Sequence, residues 1–281
     1  MMLHRHGNEN EEIVKDYVFQ KAKATALSDW LEQERKPERH VLVTSGTGNT
    51  YRYMAGSIKS YIANSDVDRI FVLIEDDEFR YEMPEMVSFI NVREQQWFPK
   101  SNPNKSCKFT YMAMIRSALC HIFPEYDQIL CVDYDTVAIR DMSELFDITV
   151  SDDCYFAACH EPLMSRSQGI YYTNAGVMIH NLKKLRDGMA DLVIEELNSC
   201  IYFFGEQDVM NHFCQGHIQD LDSIWNGCDF VDKPSGEVRI EHYAGQKQWE
   251  MRHNMWKYIG MPWHEVLAEH EKHTGYERET V

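Results

Sequence analysis

Two aspartates, Asp133 and Asp135, stand one residue apart at the end of a short apolar run. The run, residues 129–132, has the composition of a buried strand. In an extended backbone alternate side chains point the same way, so both carboxylates can converge on one point. Carboxylate oxygens suit Mg²⁺ or Mn²⁺ and, through the metal, a diphosphate. The pair alone is a weak signal, because most Asp-x-Asp sequences lie in solvated turns.

Polar residues that could bind a ligand occur in a predicted strand and at the start of a predicted helix in the second half of the chain. In the strand-like segment 171–182, Gly176 permits a ligand to approach the backbone, and Asn174 offers a hydrogen-bond donor and an acceptor. Glu206, Gln207 and Asp208 open a predicted helix. For these three residues, N-capping and compensation of the helix dipole explain the cluster as well as catalysis does.

His242 follows a short predicted strand, residues 238–241, and precedes a segment that contains glycine and aromatic residues. Its imidazole could be a third metal ligand, and Lys247 could be a counter-charge for phosphate. A lone histidine near an aromatic side chain is more often structural. The sequence leaves both interpretations of His242 open.

The segment before the aspartate pair has the pattern of alternating strands and helices, and these elements must position the pair. Strands are predicted at residues 40–44, 69–74 and 87–92, and helices up to about residue 63 and over residues 109–123. Such alternation indicates a Rossmann-like α/β unit with a mostly parallel sheet, whose ligands bind outside the carboxyl ends of the strands. The loop after the first strand and the aspartate pair would both lie there.

That first loop, Ser-Gly-Thr-Gly-Asn-Thr at residues 45–50, resembles the phosphate loop of flavodoxins. In flavodoxins, backbone N–H groups and hydroxyls at a helix N-terminus hold the phosphate of FMN. The loop is not a P-loop, because Gly-x-x-x-x-Gly-Lys-[Ser/Thr] is absent. A well-capped strand-to-helix turn explains the same residues without a ligand. We interpret the loop as facing a nucleotide, without specificity for a flavin.

Three regions are predicted along the chain. Residues 1–39 contain apolar residues at near-helical spacing and are expected to form an N-terminal helical extension. Pro37 and the charges around it predict a linker into a domain at residues 40–257. Residues 258–281 are expected to form a helical tail. The extension is expected to cap the fold or to form a contact in a homo-oligomer.

The composition disfavours several classes of partner. The 281 residues include 28 Lys and Arg against 45 Asp and Glu, for a formal net charge of −17. This charge disfavours nucleic acid and anionic membrane surfaces as partners. No uncharged apolar run approaches the roughly 18 residues of a membrane span, and no signal peptide is recognised. The eight cysteines lack Cys-x-x-Cys spacing, so a reducing, cytoplasmic location is expected.

Four segments together resemble the retaining glycosyltransferases of family 8, which include glycogenin, galactinol synthases and bacterial lipopolysaccharide galactosyl- and glucosyltransferases. The resemblance covers residues 40–249 and rests on segments 126–135 with 141–146, 174–184, 207–208 and 242–249. It implies the GT-A fold, a single Rossmann-like α/β domain with a mixed, mostly parallel central sheet and helices on both faces.

The resemblance also implies roles for individual residues. It matches the family's metal ligands to Asp133, Asp135 and His242. It matches nucleotide contacts to Thr44, Ser45, Asn49, Lys108, Tyr134, Gly245 and Lys247. It matches donor-sugar contacts to Arg116, Glu161, Asn174, Ala175 and Gly176. It places Gln207 on the reactive face of the anomeric carbon, Glu206 beside it and Asp208 on a sugar hydroxyl.

Three features depart from the family's pattern. The first loop lacks the acidic residue that many members have there. Glu161 stands where an aspartate often binds the donor sugar. The C-terminal segment lacks the basic, aromatic membrane-binding tail of the lipopolysaccharide enzymes.

The reaction implied is retaining transfer of a hexosyl group, of the glucose or galactose type, from a UDP-sugar to a hydroxyl acceptor. The cofactor implied is Mn²⁺ or Mg²⁺, and the acceptor is a carbohydrate, a small molecule or a protein. Because Gln207 is an amide, same-face attack assisted by the UDP phosphate is favoured, while Glu206 keeps double displacement open. A flavodoxin-like FMN protein, a catalytically silent sugar-nucleotide-binding scaffold and a nucleotidyltransferase are the alternatives.

Overall fold

A computed structural model of the chain describes residues 19–99, 101–104, 111–245 and 253–274, with only the backbone for residues 19–22. The strands within these ranges are β1 (Phe19–Ala26), β2 (Val41–Ser45), β3 (Arg69–Ile74), β4 (Glu78–Pro84), β5 (Val87–Asn91), β6 (Gln128–Asp133), β7 (Thr136–Ala138), β8 (Phe156–His160), β9 (Thr173–Asn181), β10 (Ile218–Leu221) and β11 (Ile240–His242). The helices are α1 (Leu27–Leu31), α2 (Tyr51–Ala63), α3 (Tyr111–Met114), α4 (Leu119–Ile122), α5 (Pro162–Gln168), α6 (Leu182–Leu185), α7 (Met189–Ser199), α8 (Glu206–Phe213), α9 (His253–Gly260) and α10 (Trp263–His273). Short 3₁₀ turns add Ile115–Ala118, Ser143–Leu145 and Ser223–Trp225.

The central sheet contains nine strands in the order β10-β8-β9-β6-β2-β3-β5-β1-β4. Strands β9 and β4 run antiparallel to their neighbours, and every other neighbouring pair is parallel. Strands β7 and β11 form a separate antiparallel ladder. The predicted mixed, mostly parallel sheet is therefore confirmed.

Helices cover both faces of this sheet, because the central strands are apolar on both sides. In β2, Leu42 packs into one buried cluster with side chains of α2, α9 and α10. Its neighbours Val41 and Val43 point the other way, into a second cluster with side chains of α1, α4 and α7. Near-continuous apolar runs are expected for parallel strands that are buried on both faces.

The N-terminal region differs from its prediction. Residues 1–18 lie outside the described part of the chain, and Phe19–Ala26 is a strand rather than part of a helix. This strand, β1, is parallel to β5 and antiparallel to β4, so it lies inside the central sheet. Pairing with the backbone of two strands outweighs the weak helical spacing of a polar segment. Helix begins only at Leu27, and its Trp30 side chain donates a hydrogen bond to Ile122 O at 3.0 Å.

The helices at residues 109–123 and at the C-terminal end also differ from their predictions. The helix expected over residues 109–123 consists, where described, of α3, a 3₁₀ turn and α4. The predicted boundary between residues 257 and 258 falls inside α9. Both C-terminal helices pack on α2: Asn64, at its C-cap, donates a hydrogen bond to Tyr258 Oη of α9 at 2.6 Å, and His270 Nδ1 of α10 lies 3.1 Å from Ile62 O.

Candidate active site

The first loop and the aspartate pair meet at one edge of the sheet. Strands β2 and β6 are parallel neighbours, and their register pairs Ser45 with Asp133 at the carboxyl ends. The chain then turns tightly, because Thr136 Oγ1 donates a hydrogen bond to Asp133 O at 2.6 Å. The buried Tyr61 hydroxyl donates to the same Thr136 oxygen at 2.8 Å. This turn leaves Asp133 half-exposed and Asp135 buried.

The ladder of β7 and β11 brings His242 to these aspartates. His242 pairs with Thr136 in this ladder, and Tyr243 N donates a hydrogen bond to Asp135 O at 2.9 Å. His242 Nε2 lies 3.7 Å from an oxygen of Asp133 and 3.6 Å from an oxygen of Asp135. One ligand atom from each residue lies within 4.8 Å of the others. Residues more than a hundred positions apart thus converge as the sequence analysis expected.

This cluster fits a small divalent cation. Two carboxylate oxygens and one imidazole nitrogen form a donor set suited to Mn²⁺ or Mg²⁺. The opposite ring nitrogen, His242 Nδ1, is 2.9 Å from Asn226 Oδ1, which leaves Nε2 directed at the carboxylates. Metal-binding histidines commonly have their second nitrogen held in this way. Gly176 adjoins the ring: a Cβ at this residue would be only 2.8 Å from His242 Nε2.

Arg116 joins the aspartate pair to the start of α8. Its Nη2 is 3.2 Å from Asp133 Oδ1, and its Nε is 3.0 Å from Glu206 Oε2. Its Nη1 also donates a hydrogen bond to Ala175 O at 2.5 Å. Burial disfavours the charged guanidinium, but the carboxylates of Asp133 and Glu206 raise the pKa of Arg116. Burial raises the pKa of Glu206 to about 7, against the opposing charge of Arg116.

The amide of Gln207 is held in a defined orientation. Its Oε1 accepts a hydrogen bond from Ala175 N at 2.9 Å. Its Nε2 donates to Tyr172 Oη at 3.2 Å and, at 3.5 Å, to Glu161 Oε2. Burial raises the pKa of Glu161, and the nearby charge of Asp208 raises it further. The Gln207 side chain is therefore fixed by backbone and buried side chains together.

Asp208 makes local structural bonds with both carboxylate oxygens. Oδ1 accepts a hydrogen bond from Tyr172 Oη at 2.5 Å, and Oδ2 accepts one from Phe204 N at 2.8 Å. The second bond satisfies a backbone donor just before α8. Asp208 therefore has a structural role at the start of α8, but α8 has no side-chain N-cap, because its N-cap residue is Gly205.

The first loop is braced by its own hydrogen bonds. Thr47 N donates to Thr50 Oγ1 at 3.1 Å, and that hydroxyl donates to Thr47 O at 2.8 Å. Ser45 Oγ donates to Met112 O at 2.9 Å, so it is tied to α3. Thr44 is buried, and its Oγ1 lacks a hydrogen-bond partner among the described residues. Asn49 is exposed. The turn explanation accounts for Thr47 and Thr50, but it gives no role to the buried hydroxyl of Thr44 or to the exposed Asn49.

The predicted phosphate contacts are only partly described. Lys108 and Lys247 lie outside the described residues. Gly245 is described and has φ +82°, a left-handed conformation that favours glycine. Tyr134 is half-buried between the two aspartates.

The sequence analysis did not identify two residues that organise this region. Asn226 is fully buried beside His242, and Tyr172 is fully buried beside Gln207 and Asp208. Asn226 lies in a loop after a 3₁₀ turn, where an isolated asparagine has no informative spacing. Tyr172 precedes β9 and has the composition of core. Only its side-chain bonds distinguish it.

The sequence of residues 53–252 matches the model of glycosyl transferase family 8. This match extends over more than half of the chain. The chain belongs to glycosyl transferase family 8. Family membership favours the glycosyltransferase interpretation of the first loop over the flavodoxin-like one. No curated protein matches the sequence.

Solved structures show that this family 8 glycosyltransferase has the GT-A fold. The galactosyltransferase LgtC, in complex with donor and acceptor sugar analogues, is similar with a TM-score of 0.64 and 18% identity over 81% of this chain and 100% of its own. The glycosyltransferase GlyE of Streptococcus pneumoniae is similar with a TM-score of 0.61 and 20% identity over 84% of this chain and 64% of its own. The bifunctional glycosyltransferase WbbM is similar with a TM-score of 0.62 and 17% identity. The alignment with WbbM covers 86% of this chain and 53% of WbbM.

No helix among the described residues of the glycosyltransferase combines the length and the apolar character needed to cross a bilayer. The described cysteines are all free.

Proposed function

We propose that this glycosyltransferase moves a hexosyl group from a UDP-sugar to a hydroxyl acceptor, with retention of configuration and with Mn²⁺ or Mg²⁺ as cofactor. The observation that carries the proposal is the convergence of Asp133, Asp135 and His242, whose ligand atoms lie within 4.8 Å of one another. These residues would hold the cation, and the cation, when bound, supplies positive charge to the departing UDP.

The same sheet edge supports the placement of the nucleotide. Ser45 and Asp133 are paired at the ends of β2 and β6, so a ligand at the aspartates also adjoins the first loop. Ligands of open α/β sheets bind at this kind of position. In the proposal, Thr44, Ser45, Asn49 and Tyr134 contact the nucleoside, and Lys108, Gly245 and Lys247 contact the diphosphate.

Donor-sugar binding is assigned to the surroundings of Asn174. Asn174 donates a hydrogen bond to Glu161 Oε2 at 3.1 Å, and both residues are buried. Arg116 adjoins Asp133 and bonds to the backbone of Ala175, so it can orient the sugar beside the metal ligands. Burial raises the pKa of Glu161, and the hydrogen bonds from Asn174 and Gln207 oppose this rise.

We infer that attack occurs on the same face as UDP departs. Gln207 is a neutral amide whose oxygen already accepts a bond from Ala175 N, so it can stabilise positive charge but cannot form a stable ester. Glu206 is buried and faces Arg116, and both oxygens of Asp208 are hydrogen-bonded to protein groups. Gln207 thus carries no charge, Glu206 is ion-paired with the buried Arg116, and Asp208 is held by its hydrogen bonds. Deprotonation of the acceptor hydroxyl is therefore assigned to the leaving phosphate.

The test is a screen of UDP-sugars for hydrolysis by the purified protein, with and without Mn²⁺. The matched variants are Asp135→Ala, at a proposed ligand, and Asp152→Ala, at an exposed aspartate of the same chain. We expect Mn²⁺-dependent hydrolysis that falls by roughly 10²-fold or more in the first variant and stays unchanged in the second. Undiminished turnover by Asp135→Ala would contradict the metal assignment. Mass spectrometry of the incubated protein would reveal any protein acceptor within the chain itself.

A further inference from the structure

Asn226 stands between the candidate metal ligand His242 and the candidate donor-sugar residues. We propose that Asn226 is a positioning residue that fixes the tautomer of His242 and joins it to Asn174. This inference rests on the proposed function for its catalytic meaning, but not for its geometry. Asn226 is 0% exposed, so water cannot replace its hydrogen bonds.

The direction of the hydrogen bonds follows from a single backbone donor. Gly176 N–H can only donate, and it lies 3.0 Å from the Asn174 side chain, so the amide atom facing it must be Oδ1. The Asn226 amide lies 2.9 Å from that same Asn174 oxygen, so the atom it presents must be its N–H₂ group. The remaining atom of Asn226 is then its oxygen, and this oxygen faces His242 Nδ1 at 2.9 Å.

An amide oxygen can only accept, so His242 must present Nδ1–H to Asn226. The neutral ring then has its lone pair on Nε2, and Nε2 is the atom that faces Asp133 and Asp135. The opposite tautomer would point an N–H bond at the cation site and could not bind a metal. Asn226 thus makes the imidazole ready to bind before any cation arrives.

On the side away from His242, the hydrogen bonds of Asn226 continue through Asn174 to the candidate donor-sugar residues. Once Asn174 Oδ1 is fixed by Gly176, its Nδ2 must face Glu161 Oε2, at 3.1 Å. Gln207 Nε2 lies 3.5 Å from the same Glu161 oxygen. A change at Asn226 therefore alters two groups at once, the metal ligand on one side and the sugar-facing amide on the other.

Two variants separate these effects. Asn226→Asp keeps an acceptor for His242 Nδ1–H but has no N–H to donate to Asn174. Asn226→Leu has a similar size and offers neither group. The first readout is the ¹⁵N NMR spectrum of the metal-free protein at alkaline pH, where imidazole is neutral, with the His242 signals assigned by their loss in His242→Gln.

We expect a protonated Nδ1 in the wild type and in Asn226→Asp, and a shift of the proton toward Nε2 in Asn226→Leu. The second readout is Mn²⁺ binding measured by calorimetry without a sugar nucleotide. The Kd should rise by roughly 10–100-fold in Asn226→Leu and by less than about threefold in Asn226→Asp. The third readout is the KM for the UDP-sugar, which should rise about tenfold or more in Asn226→Asp while Mn²⁺ affinity is retained.

An unchanged tautomer and an unchanged Kd for Mn²⁺ in Asn226→Leu would overturn the proposal. If the leucine variant does not fold, Asn226→Asp alone tests the proposal. The proposal would then be overturned if this variant lost affinity for Mn²⁺ and for the UDP-sugar to the same extent, or if it lost neither. A wild-type protein with Nδ1 protonated but without Mn²⁺-dependent turnover would contradict the proposed function and leave the role of Asn226 in the tautomer intact.

Discussion

The imidazole of His242 lies where a side chain on Gly176 would have to be. A Cβ atom built on Gly176 would be 2.8 Å from His242 Nε2, well inside the contact distance of two heavy atoms. Gly176 is in β9, the third strand from one edge of the large sheet, whereas His242 is in the small ladder of β7 and β11. The absence of a side chain at Gly176 lets these two sheets approach closely enough for His242 to reach the aspartates.

Replacing Gly176 by alanine should therefore displace His242. We expect the affinity for Mn²⁺ to fall at least about tenfold, and the free energy of unfolding to fall by about 1–3 kcal/mol because the added methyl overpacks a buried site. Calorimetric titration with Mn²⁺ measures the first effect and urea denaturation the second. Gly260→Ala is the control, because a Cβ at Gly260 meets no atom within 4 Å. Wild-type Mn²⁺ affinity in Gly176→Ala would show that the ring does not depend on this space.

Glu206 should make the stability of the fold depend on pH. Burial raises its pKa from 4.5 to about 7, so the folded state binds a proton that the unfolded state has already released between these values. The stabilisation is fully present below about pH 4.5 and is lost as the pH rises to about 7, with a total change of about 3 kcal/mol. Glu206→Gln cannot release this proton and should lack this part of the slope.

Urea denaturation at a series of pH values between 5 and 8 (roughly the window in which Glu206 titrates) measures this difference. We expect the free energy of unfolding of Glu206→Gln, relative to the wild type, to increase with pH across the window. Glu195→Gln, at an exposed position on α7, should follow the wild-type slope. A wild-type slope in Glu206→Gln as well would mean that Arg116 keeps Glu206 ionised throughout.

The hydroxyl of Tyr172 should matter for both stability and turnover. Tyr172→Phe removes the partner of Asp208 Oδ1 and one partner of Gln207 Nε2. A buried carboxylate oxygen without its partner costs about 1–3 kcal/mol, and a less constrained Gln207 should lower UDP-sugar hydrolysis severalfold. The neighbouring Tyr171→Phe removes a hydroxyl bonded to the solvent-accessible Asp220 and should cost less than about 0.5 kcal/mol. Equal effects of the two variants would argue against a special role for Tyr172.

The strands that the sequence predicts well are those buried on both faces. Strands β3 and β6 are nearly continuous apolar runs, so their positions follow directly from residue type. Strand β4 was missed because its residues alternate between buried and exposed at the edge of the sheet and include several charges. Strand β1 was missed because a polar segment becomes a strand only when two neighbours offer it a backbone to pair with.

Some residues of the candidate site could likewise be predicted from the sequence, and others could not. Asp133, Asp135 and His242 could be predicted from the sequence because the four segments that resemble family 8 match its metal ligands to these residues, although the aspartate pair or the histidine alone is a weak signal. Asn226 cannot, since its importance depends on Asn174, 52 positions away, and on the direction of one backbone N–H group. Such a role arises only from the packed geometry.

The position of β1 has a practical consequence for shortening the protein. All of the candidate ligands lie after residue 40, and the family match begins at residue 53, so a truncated chain that starts at residue 40 would retain every chemical group of the site. The truncated chain would also lose β1. Among the described strands, β1 lies between β5 and β4 and is the strand that pairs with β4. Strand β5 would then present an unpaired hydrogen-bonding edge to solvent, and open edges of this kind recruit other chains. Such a truncated chain should aggregate during expression, although its candidate ligands are intact.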